Sequence, residues 1–577
     1  MTNAEVAALL SETAVLLELA GENPFRTRAY ERAAMAVAGS SRPVCELSEK
    51  ELLEIPGVGD SIAAHIREAA GGGTFGDLRR LRERFPAGLL ELLRVPGLGP
   101  KRARFLFDAA GVKNLESLRA ACEAGKLKGL KGFGDKIIAN ILEGLSFAET
   151  KPRLLNWEAR GLARELVAAL KRMGGVGAVE AAGSLRRGRE TVGDIDILAA
   201  GADGAKVTEA FVHLPQVLKV LGVGETKASV VLAAGVQCDL RVVPAASFGA
   251  ALQYFTGSKD HNVALRQWAL KRHLTVNEYG VFKLGDKEQK KPVAGRTEAE
   301  VYEALGLAYI PPELRENRGE IEAAAAGKLP RLVTLSDVRG DLHNHSTHTD
   351  GRHSLEEMAR AAKERGWEWV ALGDHSGSLT VAHGLDEKRL RASFKELEGL
   401  RAKVKGIELF RSMEVDILED GQMDYADDVL DEIDVVVASV HSRFKQTPER
   451  MTARLCRAAA NRRVDVMGHL SGRLLNKRPG YAFDPERVLK AAAGAGTACE
   501  INGQPDRQDL DDASARRMHE LGGPIVLTTD AHSTSGYDFM ELAVTVARRA
   551  WLEPKDLLNC KSAKELRAWL AARTPKS

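Results

Sequence analysis

The sequence predicts a multidomain chain with three kinds of region in order: helical, mixed α/β, and a β/α layered or barrel region. Three observations carry that expectation. At 577 residues the chain exceeds what one hydrophobic core usually organises. A G-x-G element between two helix-like segments recurs in the first 150 residues. Ten of the 14 histidines lie after residue 340, and four of them close a strand-like run.

Composition bounds the function without choosing it. With 44% hydrophobic and 28% charged residues and a formal charge of +2, the chain reads as an ordinary globular protein, so any nucleic-acid binding must come from local basic patches. The six cysteines stand far apart, without metal-site or disulfide spacing, which points to a reducing compartment, the cytoplasm. The start, MTNAEVAALLSETAVLLELAGENPF, has no basic stretch ahead of an apolar core and is broken by Glu5, Glu12 and Glu18, so it does not read as a signal peptide. No apolar run approaches the roughly 20 residues needed to span a bilayer, so no membrane association is expected.

The helical region is marked by a repeat. LLEIPGVGDSIAAHI (52–66) is echoed by LLRVPGLGPKRARFL (92–106) and more faintly by LKGLKGFGDKIIANI (127–141). After about residue 150, VGDIDILAAG, SVVLAAGVQCDLRVVP and LTVNEYGVFKLG read as strands among helices. PPELRENRGEIEAAAAGKLPRLVTLSD, with two prolines, a charged run and Gly327 before Pro330, reads as a boundary. From near 336, strands such as WEWVALG, IDVVVASV and GPIVLTTD alternate with helical patterns such as SLEEMARAAKERG.

The last region opens on GDLHNHSTHTDG (340–351), which crowds Asp341, His343, His345, His348 and Asp350 together. A solvated polar loop is the plain alternative. Against it, VALGDHS places His375, VVVASVHS His441, VDVMGHL His469, IVLTTDAHS Asp530 and His532, and IELFRSMEVDI Glu414 in the same setting. In a β/α barrel these are the C-terminal ends of strands, which converge on one mouth. His343 and His345, two apart, direct both imidazoles to one side of a strand. Imidazoles mixed with carboxylates suit Mn²⁺, Zn²⁺ or Fe²⁺, and a cluster of such ions can bind a phosphate and lower the pKa of a bound water. The segment from 340 to 540 resembles a PHP (polymerase and histidinol phosphatase) domain. The resemblance implies a trinuclear site on a distorted seven-stranded β/α barrel, with His343, His345, Asp350, His375, Glu414, His441, His469, Asp530 and His532 filling all nine ligand positions. His348, His353, His383 and His519 are extra, and Asp374 could either orient a ligand or serve the fold.

In the middle region, GSLRRGRETVGDIDIL (183–198) joins Gly183-Ser184 to a D-x-D. On a strand Asp194 and Asp196 share a face and could hold two divalent cations bridging a triphosphate and an attacking hydroxyl. Ser184, Arg187 and the backbone near Gly193 could supply donors to the phosphates, and Asp239 in GVQCDLRVV offers a third carboxylate, one of which could help deprotonate the nucleophile. Together with YFTGSKDHNVALR (254–266), this stretch resembles the family X DNA polymerases typified by polymerase beta. That resemblance places Tyr254, Phe255 and Gly257 near the incoming nucleotide's sugar, Asn262 near its minor-groove edge and Arg266 near the templating base. LTVNEYGVF resembles the family's next hairpin. Lys259 departs from the acid usual in the vertebrate enzymes.

The G-x-G elements then read as helix-hairpin-helix motifs whose glycines, Gly57, Gly59, Gly97 and Gly99, let backbone N–H groups approach DNA phosphates. A tight turn kept for packing is the alternative. Lys101, Arg102, Arg104, Lys126, Lys128, Lys131 and Lys136 supply local positive charge. The resemblance covers nearly the whole chain and implies an N-terminal helical domain (1–85), a fingers-like helical domain (86–150), an α+β nucleotidyltransferase palm (151–245), a thumb (246–318), a linker (319–335) and the PHP barrel (336–577). The function it implies is short-gap filling in DNA repair, with Mg²⁺ or Mn²⁺ at the polymerase site, and a metal-dependent 3′-5′ exonuclease in the barrel. Gapped or nicked DNA and deoxynucleoside triphosphates are the expected partners of a monomer. A nucleotidyltransferase acting on RNA or a small molecule, and a DNA-end scaffold with vestigial sites, are the competing readings. The vertebrate lyase lysine is replaced by His65, with Ser61 at a supporting position, and no lysine lies between Lys50 and Lys101. Imidazole forms no stable imine, so little Schiff-base lyase activity is expected.

Overall fold

The computed structural model describes residues 1–573 except 2, 39–43, 56, 96–97, 131, 135–136, 139–140, 143–144, 146–152, 202 and 286–290. The expectations on Gly97, Lys131 and Lys136 lie outside the described residues. The chain divides into two compact units, Met1–Lys151 and Pro152–Ser577.

The first unit is helical. Helices Asn3–Ala20 and Pro24–Ala38 contribute Leu10, Leu17, Tyr30 and Val37 to a core that also takes Ile66, Phe75, Leu92 and Leu106. Helix Asp60–Gly72 starts after Gly59 and helix Pro100–Ala110 after Gly99. Pro100 suits the first turn because an N–H there would have no helical acceptor. Gly73 and Gly111, in the left-handed region, end the two helices.

In the second unit, a five-stranded sheet runs in the order Val176–Ala181, Asp194–Gly201, Gln237–Val243, Lys227–Leu232, Val217–Val223. Strict alternation in two of these strands turns Ala228, Val230, Leu232, Cys238, Leu240 and Val242 inward against helices Asn156–Lys171 and Gly204–Val212. The edge strand Val217–Val223 was not anticipated: VLKVLGV does not alternate, and Leu218 is 70% exposed. Two helices, Phe248–Thr256 and Lys259–Leu270, a hairpin (Leu274–Asn277 with Gly280–Lys283) and helix Glu298–Ala304 follow. The segment expected as a linker, 319–335, is not an open tether. It holds helix Glu320–Ala325, whose Ile321 and Ala324 join Leu265 and Val301 in one core, while buried Glu320 places Oε1 2.6 Å from His261 Nδ1. Its charged, alanine-rich composition hid a short helix with a narrow apolar stripe.

The remaining chain forms seven parallel strands in sequence order: Gly340–Asp341, Trp369–Leu372, Glu408–Asp416, Val435–Ser439, Val466–Met467, Ala498–Asn502 and Ile525–Thr528. Asn344 bridges Ala531 in parallel, and the Asn559 amide donates to Gly340 O (2.7 Å) and Leu527 O (2.8 Å), so the first and last strands are stitched into a nearly closed barrel. Phe410, Val437, Val466, Ala498 and Val526 pack together inside one end. Two or four residues farther along the same strand faces stand Glu414, His441, Glu500 and Asp530. The period of two therefore carries an apolar plug into a polar mouth at the strands' C-terminal ends.

Candidate metal centre and nucleotide pocket

At the barrel mouth Glu414 is central. Its Oε1 lies 2.8 Å from His469 Nε2 and 3.3 Å from His441 Nε2. Its Oε2 lies 2.8 Å from His375 Nδ1, 3.4 Å from His343 Nε2 and 3.6 Å from His345 Nε2. Asp530 Oδ1 approaches His345 Nε2 at 3.1 Å, and Asp350 Oδ1 lies 3.4 Å from His532 Nε2 and 3.5 Å from His375 Nε2. Three groups have donor atoms within 4.8 Å of one another: His345, Asp350, His375 and His532; His343, His345 and Asp530; His375, Glu414 and His441. His345 and His375 each belong to two groups, so the sites share walls, as a cluster of ions requires. His469 falls in none of the three but touches Glu414.

The donor set fits divalent cations. His343 Nε2, His345 Nδ1, His469 Nδ1 and Glu414 Oε2 are buried without a hydrogen-bond partner, a costly arrangement for polar atoms unless something else binds there. The protonation pattern agrees. Although burial opposes it, Glu414 and Asp350 hold His375 up to about 10, and Glu414 and Asp416 hold His441 up to about 9. Burial, with the neighbouring His375 and His532, pushes His345 down to about 3. Protons on some rings thus offset the carboxylates, a role cations would take over. His469 and Asp530 sit at positive φ, +21° and +49°, conformations rare for such residues and found where function demands them.

Three residues at the mouth escaped the sequence reading. Glu500, fully buried, lies 2.8 Å from His343 Nδ1 and accepts from His469 N (2.5 Å) and Thr528 Oγ1 (2.8 Å), fixing the His343 ring and the His469 main chain at once. Asp416 lies 2.5 Å from His441 Nδ1. Arg507 Nε lies 3.2 Å from Asp530 Oδ2. Glu500 and Asp416 were findable: each is a carboxylate near the C-terminal end of a strand, two residues from another polar residue, Asn502 or Glu414. Asp374 touches none of the cluster's rings in its hydrogen bonds. It accepts from Ser346 N, Ser346 Oγ and Thr349 Oγ1 and so anchors the loop that carries the histidines. Asp341 accepts from Thr529 Oγ1 (2.6 Å), and burial raises it to about 7. Among the extra histidines, His348 pairs with surface Glu396 (3.1 Å) and His519 lies 3.9 Å from Asp556.

The second site lies between the five-stranded sheet and the helices that follow it. A pocket of about 310 Å³ is lined by Gly183, Ser184, Arg187, Asp194, Asp196, Tyr254, Phe255, Gly257, Lys259, Asn262 and Arg266. Asp196 and Asp239 stand opposite each other on adjacent parallel strands. Burial, then Asp194 and Asp239, raise Asp196 to about 6. Although burial opposes it, Gln237, Ser229 and Lys227 hold Asp239 below the usual range, with Gln237 Nε2 at 2.9 Å and Lys227 Nζ at 3.1 Å. Gly183, at φ +62°, has a physical reason to be glycine: a Cβ there would lie 2.2 Å from Asp196 Oδ2. Asn262 is held by Gln253 (2.8 Å) and donates to Tyr254 O (2.7 Å). Gly193 does not line this pocket, contrary to expectation. Arg153 lies over it, 2.9 Å from where a Cβ would stand, and donates to Thr191 O and Oγ1.

In the helical unit, Gly57 has φ +85°, and a Cβ there would crowd Arg32 at 3.0 Å. Gly59 and Gly99 differ. Both are extended, a Cβ on either would meet nothing within 4 Å, and neither helix start has a side-chain cap. Packing inside the unit does not require glycine there, which weakens the tight-turn alternative. Lys101 is exposed in the first turn after Gly99. His65 stacks on Phe75 (4.5 Å between ring centres) with Nδ1 2.8 Å from Tyr30 OH.

Residues 1–75 match a helix-hairpin-helix domain, 89–146 a SAM-like helix-hairpin-helix tandem, 251–316 the DNA polymerase beta thumb and 341–503 the PHP domain. Over 573 residues, 99% of both chains, the sequence is 38% identical to the "DNA polymerase/3'-5' exonuclease PolX" of Bacillus subtilis (strain 168). The chain belongs to the family X DNA polymerases that carry a C-terminal PHP domain. As a member of that family it also has relatives that match only part of it. A "Probable phosphatase" of Thermoanaerobacter sp. (strain X514) is 29% identical over 230 residues, 38% of this chain and 89% of that protein. Another, of Syntrophotalea carbinolica, is 27% identical over 233 residues, 38% of this chain and 90% of that protein. The six cysteines are free, and among the described residues no helix is long and apolar enough to cross a membrane.

Proposed function

We propose that this chain is a DNA-directed DNA polymerase that fills short gaps during repair, with a 3′-5′ exonuclease in its barrel. The observation that carries the polymerase reading is the pocket itself, in which a carboxylate pair, a Gly-Ser turn and the Tyr254 to Arg266 segment converge. Asp194, Asp196 and Asp239 would hold Mg²⁺ or Mn²⁺, which would neutralise the triphosphate's charge and favour attack by the primer hydroxyl. Asp239, kept ionised by its donors, is ready to hold a cation, and one of the three carboxylates would take the hydroxyl's proton. Ser184 and Arg187 present donors to the phosphates, Tyr254, Phe255 and Gly257 shape the sugar's surroundings, and Asn262 and Arg266 face the bases. Gly57, Gly59, Gly99 and Lys101 would hold the DNA backbone.

For the barrel, His343, His345, Asp350, His375, Glu414, His441, His469, Asp530 and His532 would hold a cluster of Mn²⁺, Zn²⁺ or Fe²⁺, which would polarise a phosphodiester and acidify water. Glu414 spans the groups because each of its oxygens faces different rings. Arg507, a cation beside a site that would itself be strongly cationic, is best balanced by an incoming phosphate. Primer extension and 3′-end degradation on the same gapped duplex test the reading. Asp196→Ala is expected to stop the first and spare the second, and His343→Ala the reverse. Loss of both activities in either variant would argue against two separate sites.

A further inference from the structure

The barrel does more than carry its own site: it holds one wall of the nucleotide pocket. Arg187 lines that pocket at the end of the short helix Gly183–Arg186. Its side chain donates to Thr256 O (2.6 Å) and to Glu316 Oε1 (3.2 Å). Both Glu316 and the Arg187 main chain are in turn gripped from the barrel. Arg549, the last residue of helix Met540–Arg549 and 2% exposed, donates through Nη1 to Arg187 O (2.7 Å) and Glu316 Oε1 (3.0 Å), and through Nη2 to Asp512 Oδ2 (2.9 Å). The next residue, Gly188 at φ +70°, presses on the same helix so closely that a Cβ would lie 2.3 Å from the Thr545 methyl.

We propose that Arg549 is a positioning residue for nucleotide addition, acting through Arg187 and Glu316 and touching no substrate itself. The physical reason is that Glu316 is shared. With two guanidiniums on one carboxylate oxygen, Glu316 cannot close fully onto Arg187, and the Arg187 carbonyl is pinned at the same time. Without Arg549, Glu316 is free to take Arg187 as a tighter pair and the carbonyl loses its donor in a partly buried place, so Arg187 turns away from the triphosphate's path. Lysine reaches with one ammonium and cannot serve three acceptors in the fixed directions of a guanidinium.

The inference rests on the polymerase reading of the palm pocket, and single-nucleotide insertion into a one-nucleotide gap by the full-length chain tests it. Arg549→Gln is expected to raise the KM for the nucleotide roughly five- to tenfold, the size of one lost charged hydrogen bond acting indirectly. kcat and 3′-5′ exonuclease activity should stay within about twofold of the unmodified chain, and Arg549→Lys should recover part of the KM. Asp512→Asn, which loosens Arg549 and leaves every pocket residue in place, should shift KM the same way by less. An unchanged KM in both variants overturns the proposal. So does a parallel fall of both activities, because that is what a merely structural contact would produce. An unmodified chain that inserts no nucleotide would instead overturn the polymerase reading on which the inference stands.

Discussion

The two sites solve one problem, gathering mutually repelling or costly polar groups, in opposite ways. The barrel cluster has a deep floor and an open rim: Glu414, Asp530, His343, His345 and His469 are all buried, several of their donor atoms have no partner, and Asp350 and His532 stand at the exposed edge. The palm site is shallow. Asp194 is exposed, Asp196 and Asp239 are half-buried, and neighbouring side chains satisfy Asp239. The difference suits their proposed tasks. A resident ion cluster can be walled in, whereas a site that must admit a triphosphate and a primer end for each nucleotide has to stay open. The barrel mouth also depends on a buried outer layer, Glu500 and Asp416, to aim His343 and His441, whereas in the palm the partners of Asp239 are Gln237 on its own strand and Lys227 on the neighbouring one.

Removing a carboxylate from each site should separate the two activities most strongly. Asp194→Ala, Asp196→Ala or Asp239→Ala should lower primer extension by more than about a hundredfold and leave exonuclease rate and gapped-DNA affinity nearly unchanged. Glu414→Ala, Asp530→Ala or His343→Ala should do the reverse to Mn²⁺-dependent 3′-end degradation. A primer still extended at near the original rate by Asp239→Ala would mean that another group is the third carboxylate.

The outer layer distinguishes the sites next. Glu500→Gln should weaken Mn²⁺ retention in the barrel about 10- to 100-fold, read by metal analysis after dialysis, because the charged group that aims the His343 ring and anchors the His469 main chain is lost. Arg507→Gln should raise the KM for a 3′ DNA end roughly tenfold with the metal content kept. Metal loss in that variant would show Arg507 serving Asp530 and not substrate.

A smaller, thermodynamic effect belongs to the palm. Asp196 is raised in the folded chain to about 6 from an unfolded value near 3.8. The folded state therefore binds the proton more readily. Metal-free stability should rise as pH falls through about 6 and level off below about 4, and above that window the ionised carboxylate costs on the order of 3 kcal/mol. Asp196→Asn should accordingly raise the melting temperature of the metal-free chain at pH 7.5 and flatten its rise between pH 6.5 and 5. A melting temperature unchanged or lowered by the substitution would remove the strain argument. The smallest signal expected is none: borohydride trapping on an incised abasic substrate should give no strong adduct within residues 1–80, since His65 is packed against Phe75 and the nearest lysine is Lys50.

Much of this molecule was legible in its sequence because its chemistry follows local periodicities. A strand turns residues two apart to one side, so His343 with His345 and Asp194 with Asp196 announce a shared face before any tertiary contact is known. Histidines closing apolar runs mark strand ends, and strand ends in parallel β/α folds converge. Glu500 and Asp416 obey the same rule and could have been read. The edge strand Val217–Val223 could not, because one exposed on both faces has no alternation to detect.

Relations between segments far apart in the chain come from packing instead: Arg507 beside Asp530, Arg153 covering Gly193, helix Glu320–Ala325 on the thumb core, and Arg549 reaching Arg187 across 362 residues. None has a sequence signature, because an arginine that pairs with a distant carboxylate looks like any surface arginine until packing removes the water around it. Periodicity sets which side of its own element a residue faces. Which element stands opposite is set by how the cores pack, and that is a property of the whole fold.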